Sequence, residues 1–138
     1  MTAPGGPRSA FRMILAIVVG YGVAAGVVIA ATAILVLVMG MPPEGRPTTP
    51  YLFANVASSF IAAVAAGYAC ARLAPTERRL ICLGLLTLLF LSAAIATHRA
   101  APDVQQPPGY LPLVTLLGVI GLWTGAMVER ARHGQNTT

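Results

Sequence analysis

Residues 13–43, MILAIVVGYGVAAGVVIAATAILVLVMGMPP, form an apolar run of 31 residues with no charged side chain. The run lies between Arg12 and Glu44. An α-helix rises about 1.5 Å per residue and needs roughly 20 apolar residues to cross a hydrocarbon core about 30 Å thick. The run is therefore long enough to span a bilayer. It is too long for the apolar region of a cleaved signal peptide, which has about 7 to 15 residues.

Three more uncharged runs follow the first. They contain 25, 19 and 25 residues and lie between Arg46 and Arg72, between Arg79 and Arg99, and between Asp103 and Glu129. We predict one helix from each run, at about 11–39, 51–73, 79–97 and 111–130, within a single transmembrane domain covering residues 1–138. All eleven prolines fall outside these helices or in a first turn, where a helix tolerates the missing N–H.

The composition agrees with a membrane-embedded chain. Apolar residues make up 57% of the sequence and charged residues only 9%, against about 25% charged in a soluble domain. Too few polar side chains exist to cover a water-facing surface, which excludes a conventional soluble enzyme and a disordered tail. The predicted fold class is all-α, an integral membrane four-helix bundle.

The basic residues predict the orientation of this bundle. All nine are arginines, and they lie singly or in pairs beside apolar runs, which does not favour nucleic-acid binding. Seven flank the N-terminus, the second connection or the C-terminal tail, namely Arg8, Arg12, Arg72, Arg78, Arg79, Arg130 and Arg132. The positive-inside rule then predicts both termini in the cytoplasm (N-in/C-in) of a multi-pass protein of the bacterial inner (plasma) membrane.

The connections between the helices are short. The first and third, at 40–50 and 98–109, are rich in proline and are predicted to lie outside the cell. The second, Ala74-Pro75-Thr76, is so tight that we predict antiparallel packing of the second and third helices.

Side chains able to carry chemistry are scarce. No Asp, Glu, Lys, Arg or His lies in the middle of any predicted span, which argues against proton-coupled transport, a carboxylate ion site and an intramembrane metalloprotease. His98 and His133 fall at opposite ends of the predicted bundle and are interpreted as surface residues. We therefore predict no catalytic residue, no cofactor and no metal ion.

The two cysteines permit two interpretations. Cys70 and Cys82 are each six residues from Thr76, so a hairpin places them at similar depth. They form either a redox pair or half of a metal site, or they are small apolar residues at a helix interface. Because the sequence has no CxxC motif, it favours packing.

Three polar residues share one face of the second helix. Asn55, Ser58 and Ser59 have i, i+3, i+4 spacing. They either line a polar vestibule near the outer end of the bundle or form hydrogen bonds between helices, and the sequence favours the hydrogen bonds.

Small residues recur at four-residue spacing on three of the helices. Close backbone approach holds helices together in lipid, because lipid tails are as apolar as leucine. We predict helix packing, within the chain rather than between copies, at Gly22 and Gly26, at Ser59, Ala63, Gly67 and Ala71, and at Gly118, Gly121 and Gly125. The leucine-rich third helix is predicted to have the largest lipid-facing share.

From Asn55 onward, the chain resembles uncharacterised small four-helix bacterial inner-membrane proteins. The resemblance rests on Ala66-Gly67-Tyr68, on Ala71-Arg72-Leu73-Ala74-Pro75, on the leucine-rich third helix and on the Pro-Tyr entry to a glycine-bearing fourth helix. It implies the fold and the location, and no activity. Small multidrug exporters carry a membrane-embedded Glu in their first helix and quinone-reducing disulfide enzymes carry a CxxC, and this sequence has neither feature.

Two functions fit these observations. The preferred one is a non-catalytic integral membrane protein that acts as a scaffold or accessory subunit. The alternative is an oligomeric pore or carrier for a neutral or lipid-like solute, assembled through the glycine stripes. Both imply the lipid bilayer as a partner, together with other membrane subunits or further copies of the chain.

Overall fold

Four α-helices form the described part of the chain. The structure, a computed structural model, describes residues 6–39, 48–100 and 109–135. Helix α1 spans Pro7–Met39, α2 Thr49–Leu73, α3 Arg79–Ala100 and α4 Tyr110–Gln135, and a 3₁₀ turn at Thr76–Arg78 connects α2 to α3. All four helices are long and apolar enough to cross a membrane. The prediction of an all-α, four-helix chain is confirmed.

The helices extend past the predicted spans where arginines occur. Helix α1 begins at Pro7 instead of residue 11, and α4 continues to Gln135 instead of ending near residue 130. The predicted spans ended where the apolar residues ended. Arginine is a good helix former, so the helices continue past these points. The predicted connections at 40–50 and 98–109 lie largely outside the described residues.

The helices alternate in direction, so α2 and α4 run parallel to each other. The start of α1, the end of α2, the start of α3 and the end of α4 meet at one end of the bundle, which we call the Arg-rich end. Helix α2 is central, because it packs most extensively on α4 and then on α1. The antiparallel α2–α3 pair is joined by the tight predicted connection, but the contact between these two helices is small.

The core consists mainly of small side chains. Its members are Ala16, Ala24, Ala63, Ala66, Cys70, Ala71, Ala74, Cys82, Leu83, Leu86, Leu122 and Ala126. Alanine and cysteine allow the helix axes to approach closely, so the core is thin and backbone contacts contribute much of the packing.

Large apolar side chains cover the outside of the bundle. The most exposed include Leu37 at 82%, Phe53 at 73% and Ile29 at 70%, a distribution that soluble proteins avoid. Helix α1 has the least buried apolar stretch, with 6% of its residues buried against 17% for the stretch that begins at Thr76. The prediction that the third helix has the largest exposed share is therefore wrong, because α1 touches its neighbours along only one narrow face.

Candidate functional site

The closest contact between helices joins α2 to α4. A Cβ added to Gly125 would lie 2.0 Å from the carbonyl oxygen of Val64 and 2.8 Å from the backbone nitrogen of Tyr68. A Cβ added to Gly67 would lie 1.9 Å from the carbonyl oxygen of Leu122. Both distances are far below van der Waals contact, so the two backbones touch and neither position has space for a side chain.

Two further residues extend this contact toward the other end of the bundle. A Cβ on Gly121 would come within 2.9 Å of the Ala63 side chain and 3.0 Å of the Phe60 carbonyl oxygen. The stripe Gly121-x-x-x-Gly125 thus packs against Ala63-x-x-x-Gly67, as a small-residue interface between parallel helices requires. Gly118 packs differently, because the nearest atoms to its added Cβ belong to the movable ring of Phe90 on α3.

The stripe predicted on α1 does not pack against the described residues of the other helices. Gly22 and Gly26 are exposed, and an added Cβ at either meets no atom within 4 Å. The close approach occurs instead at Gly20, where a Cβ would lie 3.1 Å from the Cβ of Cys70 on α2 and 3.1 Å from Leu86 on α3. Because Ala16, Gly20 and Ala24 also have four-residue spacing, α1 carries two small faces, and the buried one was missed.

The Asn55 side chain forms a hydrogen bond between two helices. Its side-chain nitrogen donates to the Tyr110 hydroxyl at 2.6 Å and thereby joins the start of α2 to the start of α4. Ser58 donates its hydroxyl to the Asn55 carbonyl oxygen at 3.0 Å. These two residues of the predicted polar face are thus used in packing and local hydrogen bonding, whereas Ser59 is buried beside a crevice described below.

A buried ion pair links α3 to α4 at the Arg-rich end. A terminal guanidinium nitrogen of Arg79 lies 2.9 Å from a carboxylate oxygen of Glu129, with side-chain exposures of 14% and 1%. Sequence reasoning missed this pair because it used Glu129 only as the boundary of an uncharged run. The detectable signal was an acidic residue among arginines at the end of a span, since an ionisable residue at membrane depth needs a partner.

The cysteines belong to the buried core. Cys70 and Cys82 are both fully buried free thiols in the same apolar cluster. Cys70 lies close to α1, since a Cβ added to Gly20 would be 3.1 Å from the Cβ of Cys70. Within the ranges that the structure describes, no three His, Cys, Asp or Glu side chains gather in a way that could hold a metal ion.

A crevice reaches toward the centre of the bundle and is lined by all four helices. Its volume is about 290 Å³, and Tyr21, Ser59, Phe90 and Thr115 each line it from a different helix. The Thr115 hydroxyl donates to the Leu111 carbonyl oxygen, so the lining offers few polar groups for a solute. Helix α3, which lines one side of the crevice, has less contact with the other helices than α1 or α4 has with α2.

The side chains of His98 and His133 lie outside the described residues, although both positions belong to helices. Two of the polar linkages between helices, Asn55–Tyr110 and Arg79–Glu129, lie at opposite ends of the bundle. Comparison with protein-family models, with curated proteins and with solved structures found no match to this chain.

Proposed function

We propose that this chain is a non-catalytic integral membrane protein that acts as a scaffold or accessory subunit. In this proposal it crosses the bacterial plasma membrane four times, with both termini in the cytoplasm. The exposed apolar surface and the concentration of arginine at one end of the bundle support the insertion and the orientation.

The proposed role rests on one surface of α1. Its residues are Gly22, Gly26, Ala30 and Ala33, which are all exposed, and we call it the open face of α1. Their spacing places them on one side of the helix. Helix α1 meets the rest of the bundle through a different face, at Gly20 and its buried neighbours. The open face is thus a long, shallow surface that residues 6–39, 48–100 and 109–135 leave uncovered.

A membrane helix of another protein fits such a surface. Helices associate in lipid by close van der Waals approach, and small residues permit that approach. A lipid tail makes no closer van der Waals contact with a glycine stripe than with other apolar surface. A partner helix does, because its backbone can approach the stripe closely. An accessory subunit would use α1 to dock and the α2–α4 pair to keep its own fold.

Photo-cross-linking in intact cells tests this role. Benzoylphenylalanine placed at Val18 or Ile29, which flank the glycines and are 61% and 70% exposed, should form an adduct with one membrane protein. The same probe at Leu88 on α3, which is 62% exposed, is the matched control and should not form that adduct. Gly22→Leu should abolish the adduct while leaving the amount of folded protein unchanged.

Other outcomes would contradict the accessory role. Adducts with lipid alone from Val18 and Ile29 would mean that the open face has no protein partner. Adducts with a second copy of this chain would favour the alternative function, an oligomeric pore or carrier for a neutral or lipid-like solute. The crevice of about 290 Å³ lined by four helices is the observation that favours that alternative.

A further inference from the structure

A groove runs along the outside of the bundle between α2 and α4. It has a volume of about 500 Å³ and is separate from the central crevice. Phe60, Val64 and Tyr68 line it from α2, and Gly125, Val128 and Arg132 line it from α4. We call it the α2–α4 groove. It lies over the small-residue interface. Gly125 has no side chain and forms the bottom of the groove, and the larger side chains beside it form the walls.

The groove has one apolar end and one charged end. From Phe60 to Tyr68 the helix rises about 12 Å, close to the half-thickness of a hydrocarbon core, which is about 15 Å. At the Arg-rich end, the Arg132 guanidinium carbon lies 5.8 Å from the centre of the Tyr68 ring. This cation–π contact holds a positive charge where the apolar lining stops.

The apolar end and the charged end of the groove match the acyl chain and the phosphate of a phospholipid. An acyl chain is apolar over the length of the lined stretch, and its phosphate lies just beyond that stretch. Arginine pairs well with phosphate because its N–H donors match the geometry of the phosphate oxygens. Arg130, the next arginine along α4 at this end, adds attraction for a headgroup with net negative charge.

We propose that the α2–α4 groove binds one acyl chain of an anionic glycerophospholipid, whose phosphate pairs with Arg132. The inference depends on the membrane insertion proposed above. It assigns a ligand to a surface that the scaffold role does not use, since the open face belongs to α1.

The test compares lipid binding by matched variants of the full chain. Native mass spectrometry in a mild detergent would count bound palmitoyl-oleoyl phosphatidylglycerol or palmitoyl-oleoyl phosphatidylcholine at increasing lipid concentration. Wild-type protein should bind phosphatidylglycerol more tightly than phosphatidylcholine. Arg132→Gln should weaken phosphatidylglycerol binding by about tenfold, the effect of losing one hydrogen-bonded charge contact. Arg72→Gln, an exposed arginine at the same end, should change it little.

A second pair of variants tests the acyl-chain part of the groove. Val128→Trp fills the groove from a side chain that is 42% exposed, whereas Met127→Trp adds the same bulk at a neighbouring position that is 65% exposed and does not line the groove. We expect Val128→Trp to reduce binding and Met127→Trp to leave it unchanged. Helix content by circular dichroism would verify that each variant remains folded.

Several results would overturn the inference. Equal binding of the two lipids, equal effects of Arg132→Gln and Arg72→Gln, or wild-type binding by Val128→Trp would each show that the groove is not a specific site. Extraction of cell membranes with alkaline carbonate separates this failure from that of the proposed function. Release of the protein by carbonate would contradict membrane insertion itself. A protein that stays in the membrane fraction but shows no preference for phosphatidylglycerol would contradict only the lipid site.

Discussion

Gly125 shows how much depends on one missing methyl group. Its backbone touches α2, so Gly125→Ala must move the carbonyl of Val64 or separate the two helices. Overpacking of this kind costs about 1–3 kcal/mol and more where backbone must shift. We expect Gly125→Ala to lower the free energy of unfolding by at least about 2 kcal/mol, measured by titration of the purified protein from mild detergent into SDS.

Gly22→Ala is the control for this prediction. It adds the same methyl group on an exposed face with no atom within 4 Å, and alanine has the higher helix propensity by about 1 kcal/mol. Its stability should equal or slightly exceed that of the wild type. Equal stabilities for the Gly22 and Gly125 variants would contradict the backbone contact between α2 and α4.

Glu129 is the second residue on which the fold depends. It is among the largest fully buried side chains, and its carboxylate pairs with Arg79 across α3 and α4. Removing one partner of a buried pair leaves the other charge without compensation, at a cost of about 3 kcal/mol or more. We expect this loss of unfolding free energy for Glu129→Gln in the same SDS titration, and almost none for Glu77→Gln, an exposed acidic residue in the turn before α3.

The double variant Arg79→Met/Glu129→Met distinguishes pairing from packing. Replacing a buried ion pair by apolar side chains is often neutral or stabilising, so the double variant should regain most of the stability lost in Glu129→Gln. A double variant that is less stable than Glu129→Gln would mean that the two side chains act independently.

At the scale of the helix, α1 shows why a sequence pattern does not determine which face of a helix packs. Its Ala16-Gly20-Ala24 face and its Gly22-Gly26 face have the same four-residue spacing and the same kinds of residue. A pattern on one helix indicates that a close approach is possible, but the neighbour decides which face is used. Contact with Cys70 and Leu86 on two other helices selects Gly20.

Helix α3 shows a related limit. The short connection at Ala74 and Pro75 fixes the direction of α3 relative to α2, but not the area of contact between them. Helix α3 has large leucine side chains where α2 has small ones, so its backbone does not approach α2 as closely as that of α4 does. The Arg79–Glu129 pair and the Phe90 ring on Gly118 hold α3 to α4 instead.

For the molecule as a whole, the arginines predict its orientation in the membrane. Fusions of alkaline phosphatase and of a fluorescent protein to each terminus should show both termini in the cytoplasm, because seven of the nine arginines flank the termini or the second connection and the positive-inside rule predicts these segments on the cytoplasmic side. A periplasmic C-terminus would contradict the model of four spans. A single cysteine at Gly109, tested in a background without Cys70 and Cys82, should be accessible from the periplasm.

The sequence alone was sufficient for features that depend on composition and length. Four uncharged runs of adequate length predict four helices, and the structure has them, since a helix satisfies its own backbone hydrogen bonds whatever surrounds it. The tertiary structure alone decided which small face of α1 is buried, which helices share the tightest contact, and that Arg79 meets Glu129. These features depend on shape complementarity between segments far apart in the chain, and a periodic pattern within one segment carries no information about the neighbour it will meet.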